Sequence, residues 1–130
     1  MSTPTFNITG VDFVTLPTAG LETAAEFYGT VLGLPCSTRY DRIPGGEFET
    51  GNLTIQLFDF SAVGRENHPN RNPVALHVDD VAAARAELES RGVVFLGDTI
   101  DSGVCHMAIF NDPNGNTLMI HHRYAPRTAD

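Results

Sequence analysis

The sequence predicts an α+β fold in which two βαβββ modules form one domain, with curved mixed sheets enclosing a cleft and the helices outside. Three observations predict it. A half-buried strand pattern leads into an amphipathic helix and then into three more strand patterns. That order occurs twice, with a repeat of about 55 to 60 residues, too long for a solenoid unit and too short for an independent domain. The chain has 130 residues, enough for one shared core.

The first module covers residues 8–62. From Val11, VDFVTLP alternates and is rich in β-branched and aromatic residues, as a strand over 11–17 requires. In AGLETAAEFYGTVLGLP, Leu21, Ala24, Phe27, Tyr28 and Leu32 share one helical face, and Gly33 with Pro35 stops the helix. CSTRYDR, a turn at IPGGE and a short strand near FETG follow. NLTIQLFDF then alternates through Thr54, Gln56 and Phe58. The polar stretch SAVGRENHPNRNP reads as a loop between modules.

The second module covers residues 72–124. It opens with PVALHV, and Asp79 and Asp80 stand where a carboxylate caps a helix N-terminus. The helix VAAARAELESRG buries Val81, Ala84 and Leu88 and ends at Gly92. VVFLGDTI, SGVCHMAIF and NTLMIHH supply three strands. Asp112, Pro113, Asn114, Gly115 and Asn116 form the turn between the last two, with structural duties. Right-handed crossovers in both modules place the helices on one side of the sheets.

With a net charge of −8 and only 8 Lys plus Arg, the chain is unsuited to nucleic acid or anionic membranes, and a cationic ligand is welcome. No apolar run approaches the roughly 20 residues of a membrane span. The start MSTPTFNITG lacks the basic and apolar regions of a secretory signal, so a cytoplasmic location is expected. Cys36 and Cys105 have no ligand spacing and are expected to be reduced.

Keeping the period of two, the cleft face carries Phe13 and Thr15, then Thr54, Gln56 and Phe58, then Ala75 and His77. Cys105, Met107, Ile109, Thr117, Met119 and His121 complete it. This lining suits a planar or amphipathic organic ligand. His77 and His121 are the candidate catalytic pair: two imidazoles bind an acidic group, exchange protons near neutral pH, or hold a metal. His106 and His122 have the opposite parity. His121 and His122 leave opposite faces of one strand, so the HHR run is not a metal-site signature. Tyr28 is expected to pack between helix and sheet.

VDFVTLP with LETAAEFYGTVLGLP, and VALHVDDVAAARAELESRG with FNDPNGNTLMI, together resemble the vicinal oxygen chelate superfamily. That superfamily includes glyoxalase I, extradiol dioxygenases, fosfomycin-modifying enzymes and bleomycin-resistance binding proteins. The resemblance covers nearly the whole chain. It implies that catalytic members hold a metal through side chains on the first and last strands of each module, at the positions of Phe13, Gln56, Pro73 and Met119. Phe13 and Pro73 offer no ligand atom and Met119 only a soft thioether, so no metal and no other cofactor is expected. Shifting the first strand by one residue would present Asp12, but would also turn Val14 and Leu16 into the cleft.

The first expectation is therefore a metal-independent binder of a small aromatic or amphipathic ligand in the inter-module cleft. Its contacts would be Phe13, Thr15, Thr54, Gln56, Phe58, Pro73, Ala75, Cys105, Met107 and Met119. The alternative is a lyase, isomerase or dioxygenase with an atypical site using His77 and His121. The resemblance also implies a homodimer, in some members with modules exchanged so that each cleft uses both chains.

Overall fold

Alternation along the strands decides which side chains the fold buries. In the computed structural model, which describes residues 3–127, the first module contains β1 (Phe13–Pro17), α1 (Leu21–Glu26), β2 (Cys36–Arg39), β3 (Gly45–Glu49) and β4 (Thr54–Phe58). The second contains β5 (Val74–His77), α2 (Val81–Ser90), β6 (Ile100–Asp101), β7 (Cys105–Asn111) and β8 (Thr117–Arg123). Each module builds one open, mixed sheet, in the order β1-β4-β3-β2 and β5-β8-β7-β6. The first strand of each runs parallel to the last, and the other pairs are antiparallel. The expected α+β duplication is the fold. Among the described residues, no helix is long and apolar enough to cross a membrane.

Leu16, Ile55 and Leu57 alternate with Thr15, Thr54 and Gln56, and the apolar set is buried while the polar set is half-exposed. Ala108, Phe110, Leu118 and Ile120 do the same in the second sheet. These residues join Ala24, Tyr28, Val81 and Leu88 in one hydrophobic cluster spanning both modules. Each fully buried aliphatic or aromatic side chain contributes about 1.5–3 kcal/mol. The ring of Phe27 lies 5.5 Å from that of Tyr28 and 6.3 Å from Phe110 of the second module. The first helix is thus packed on both sheets.

The modules are also joined by a buried polar knot. Asp112 in the β7–β8 turn accepts hydrogen bonds from Tyr28 Oη (2.7 Å), from the backbone N–H of Asn114 and Asn116, and from Asn116 Nδ2 (2.8 Å). Asn116 Nδ2 also donates to the carbonyl of Pro17 (2.9 Å), and Thr18 Oγ1 to Asn114 Oδ1 (2.6 Å). Burial, then the neighbouring Asp112 charge, raises the Tyr28 pKa far above the ordinary tyrosine range, so its hydroxyl remains a donor.

Four boundaries differ from the sequence expectation. β1 begins at Phe13, since exposed Val11 and Asp12 have no strand partner. The helix is α-helical only to Glu26 and continues as a π-helical turn, Phe27–Val31, with Leu32 N–H bonded to Phe27 O at 2.9 Å. The wider turn falls where two adjacent aromatic rings both need inward space. Gly45 and Gly46, expected in a turn, begin β3: a Cβ on Gly45 would lie 2.6 Å from the Tyr40 ring and 2.9 Å from Leu57 O. VVFLGDTI forms only a bridge at Phe95 and the two-residue β6, because Gly97 between them adopts φ +79 and breaks the extended run.

Tyr28→Phe should lower the free energy of unfolding by about 1.5–3 kcal/mol, the range for a lost hydrogen bond to a buried charge. Urea denaturation with an unchanged m-value checks it.

Candidate functional site: a polar and aromatic sheet face

The sequence-predicted residues lie on the sheet faces turned from the core. In the first sheet, β-pairing sets Thr15, Gln56 and Glu47 side by side, and Phe13, Thr54 and Glu49 in the next row. Thr15 Oγ1 donates to Gln56 Oε1 (2.6 Å), Gln56 Nε2 to Tyr40 Oη (2.9 Å), and Tyr40 Oη to Glu47. Thr54 Oγ1 and Ser37 Oγ each donate to the Glu49 carboxylate at 2.6 Å. Those two bonds, Ser37 first, hold the Glu49 pKa below the usual carboxylate range. Burial raises the Tyr40 pKa, opposed by the bond from Gln56 and reinforced by Glu47. Phe13 is 52% exposed, and Phe58 is half-buried with its ring edge-on to Phe60 at 4.9 Å.

Glu47, Glu49 and Tyr40 were not among the predicted site residues. The signal that finds them is β-pairing: Glu47 and Glu49 share the parity of Gln56 and Thr54 once β3 is extended back to Gly45. Glycine there lets the Tyr40 ring lie on the strand, within reach of Gln56 and Glu47.

In the second sheet Ala75 pairs with Met119 and His77 with His121, so the candidate histidines stand on neighbouring strands. The ring near that of His77 is nevertheless His122's, at 5.7 Å between centroids. Met107, Ile109, Met119 and His121 are half-buried, Pro73, Ala75 and His77 exposed, and Cys105 buried beside the Arg123 guanidinium at 3.9 Å. Cys36 and Cys105 are both unpaired.

Phe13, Gln56, Pro73 and Met119 are the four positions at which the resemblance implies a metal in catalytic members. Phe13 and Pro73 supply no donor atom, Met119 supplies a thioether, and both ends of the Gln56 amide are engaged by Thr15 and Tyr40. A separate cavity of about 760 Å³ opens between the modules, walled by Leu34, Leu53, Ile55, Leu76 and Leu88. Ala75 and His77 are the predicted residues that reach it. Arg91 on its wall donates to the carbonyls of Thr30 (3.0 Å) and Val31 (3.3 Å), tying α2 to the end of the first helix.

Two βαβββ modules with paired open sheets define a class of proteins, and the comparison with known families agrees. The profile of the Glyoxalase/Bleomycin resistance protein/Dioxygenase superfamily matches residues 10–120, and the chain belongs to that superfamily. No curated protein sequence matches it significantly. Among solved structures, it is similar to TnmS3, an antibiotic binding protein from Streptomyces sp. CB03234. The TM-score is 0.77 at 22% identity, covering 91% of this chain and 98% of that one. A glyoxalase/bleomycin resistance protein/dioxygenase from Nocardioides has a TM-score of 0.76 at 22% identity, covering 97% and 93%. A lactoylglutathione lyase from Agrobacterium tumefaciens has 0.75 at 17% identity, covering 88% and 94%.

Gly45→Ala should push the Tyr40 ring off β3, costing about 1–3 kcal/mol as overpacking does; chemical denaturation and the Tyr40 ring resonances check it. Acid should also weaken the fold. The pKa values of Glu49, Asp59 and Asp101 are all lowered, chiefly by hydrogen bonds from Ser37, Asn67 and the Gly103 N–H respectively. Their stabilisation is complete above the unfolded-state values of about 4 and is lost as pH falls through the lower folded-state values. Thermal melts should be level from about pH 6 to 5 and fall below about pH 4.

Proposed function

We propose that the protein is a cytoplasmic binder of a small, amphipathic organic cation. Binding does not use the family's metal position, and the sheet faces that receive the ligand are completed by a second copy in a homodimer. One observation carries this reading: the carboxylates of Glu47 and Glu49 stand on one open sheet face, fixed by Tyr40, Thr54 and Ser37, with Phe13 and Phe58 on the same face. Carboxylates attract a cation, and aromatic faces attract both its charge and its planar surface. The net charge of −8 favours the same sign of ligand.

The second-module face supplies the complementary surface. Met107 and Met119 are flexible and polarizable, and adapt to flat ligands. Both faces are half-open in one chain, which supports their being covered by a partner copy, with the first-module face of one protomer against the second-module face of the other. That an antibiotic binding protein shares the fold is in keeping with this reading. A lyase, isomerase or dioxygenase reading rests on His77 and His121 standing as β-partners.

Fluorescence titration with 9-aminoacridine, a planar cation, tests the proposal together with light scattering of the free protein. A dimer should bind the dye, and Glu47→Gln with Glu49→Gln should weaken binding by at least about tenfold, about 1.4 kcal/mol. His77→Ala and His121→Ala should change it by only a few-fold, whereas the enzyme reading needs them for turnover. A monomer without affinity, or equal binding by the double Gln variant, would sink the proposal.

A further inference from the structure

The second module holds a group of ligating side chains that the sheet-face site does not use. His77 ends β5, Asp79 lies two residues beyond it, and His122 lies on β8. Each offers one ligand atom, and the three atoms lie within 4.8 Å of one another, the only such group of His, Cys, Asp or Glu among the described residues. We propose that His77, Asp79 and His122 bind one borderline divalent cation of the zinc, nickel, cobalt or copper class.

The donor set sets the class of ion. Two imidazoles and one carboxylate suit those ions and are a poor match for magnesium or calcium, which prefer oxygen alone. Metal–nitrogen bonds of about 2.0–2.1 Å in a tetrahedron put ligand atoms about 3.3 Å apart. His77 Nε2 and Asp79 Oδ1 already stand at 3.3 Å. The remaining closure needs only side-chain rotation, and the side chains of His77 and Asp79 are 69% and 99% exposed.

The surroundings orient the group. His122 Nδ1 lies 3.1 Å from the carbonyl oxygen of Val78. A carbonyl only accepts, so Nδ1 carries the proton and the imidazole lone pair is on Nε2, the arrangement by which an outer hydrogen bond prepares a histidine for a metal. Val78 N–H in turn donates to His121 O at 3.0 Å, which fixes the end of β5 against β8. Asp80, not Asp79, caps α2 through the Ala83 N–H (3.0 Å), leaving the Asp79 carboxylate uncommitted to the helix. Glu87 of α2 and Arg91, just past its end, are the charged groups that share the adjoining cavity wall with His77.

The site is distinct from the family's metal position. His77 is four residues beyond Pro73 and His122 three beyond Met119, about 10–13 Å along the strands. Three protein ligands leave a fourth position open to water or to an oxygen of a bound molecule. His77 and Val78 also line the inter-module cavity, so the ion would sit at its edge.

The test uses no organic ligand and is independent of the proposed dye binding. Protein without a polyhistidine tag, stripped by chelator and dialysed, is titrated with cobalt(II) by its visible d–d bands and with zinc by calorimetry. One ion per chain is expected, and His77→Ala or His122→Ala should each weaken binding by more than about tenfold. His68→Ala, in the exposed loop, should leave it unchanged. In unaltered protein, zinc should move the ring nitrogen resonances of His77 and His122, a readout that does not rely on any variant folding. Absence of saturable uptake at one ion per chain would overturn the proposal. So would uptake that survives the double His77→Ala, His122→Ala variant, or a response by the His68 or His121 rings instead.

Discussion

The carboxylate of Asp112 is the point on which the two modules turn. It is 5% exposed and accepts from Tyr28 of the first helix and from its own turn. A buried charge without donors costs several kcal/mol, and here each donor comes from an element that must be in place. The turn closes on Asp112 through the backbone N–H groups of Asn114 and Asn116, and the Asn116 side chain in turn holds the Pro17 carbonyl. The relative placement of the sheets is therefore decided by hydrogen-bond geometry as well as by apolar area, which alone has no direction.

That placement decides which faces remain outside the core. Once Leu16, Ile55, Leu57, Phe110, Leu118 and Ile120 are committed to the shared core, every alternate position is committed to the opposite faces. The first module spends its face on hydrogen-bonding groups and carboxylates, the second on methionines and histidines. Duplication supplies the frame, and divergence at the outward positions gives the two faces different chemistry.

The parts legible in the sequence were those set by local rules. Period-two alternation gave the facing of Thr54, Gln56 and Phe58 because a strand permits no other arrangement. The DPNGN turn was legible because Gly115, at φ +85, and the Asx side chains are needed for it locally. Tyr40, Glu47 and Glu49 were not legible, since their positions depend on Gly45 lying under the Tyr40 ring, a contact that turn-like PGG does not announce. His122 was assigned by parity to the face opposite His121, but near the end of β5 the alternation no longer fixes how far the His77 ring can lean. The π-helical turn also lacks a local signal, because Phe27 and Tyr28 require it only when Phe110 is in place.

Among the described residues, the sheet order leaves β1 and β2 of the first sheet and β5 and β6 of the second each with one edge free of strand partners. A bare edge invites pairing with foreign chains. The β1 and β5 edges are only five and four residues long, and each is bounded by proline, Pro17 at the end of β1 and Pro73 just before β5. Proline has no N–H to offer a ladder, so neither edge can be extended past it. At these two edges a foreign strand would find a short ladder that stops at a proline, too little backbone on which to grow a fibril.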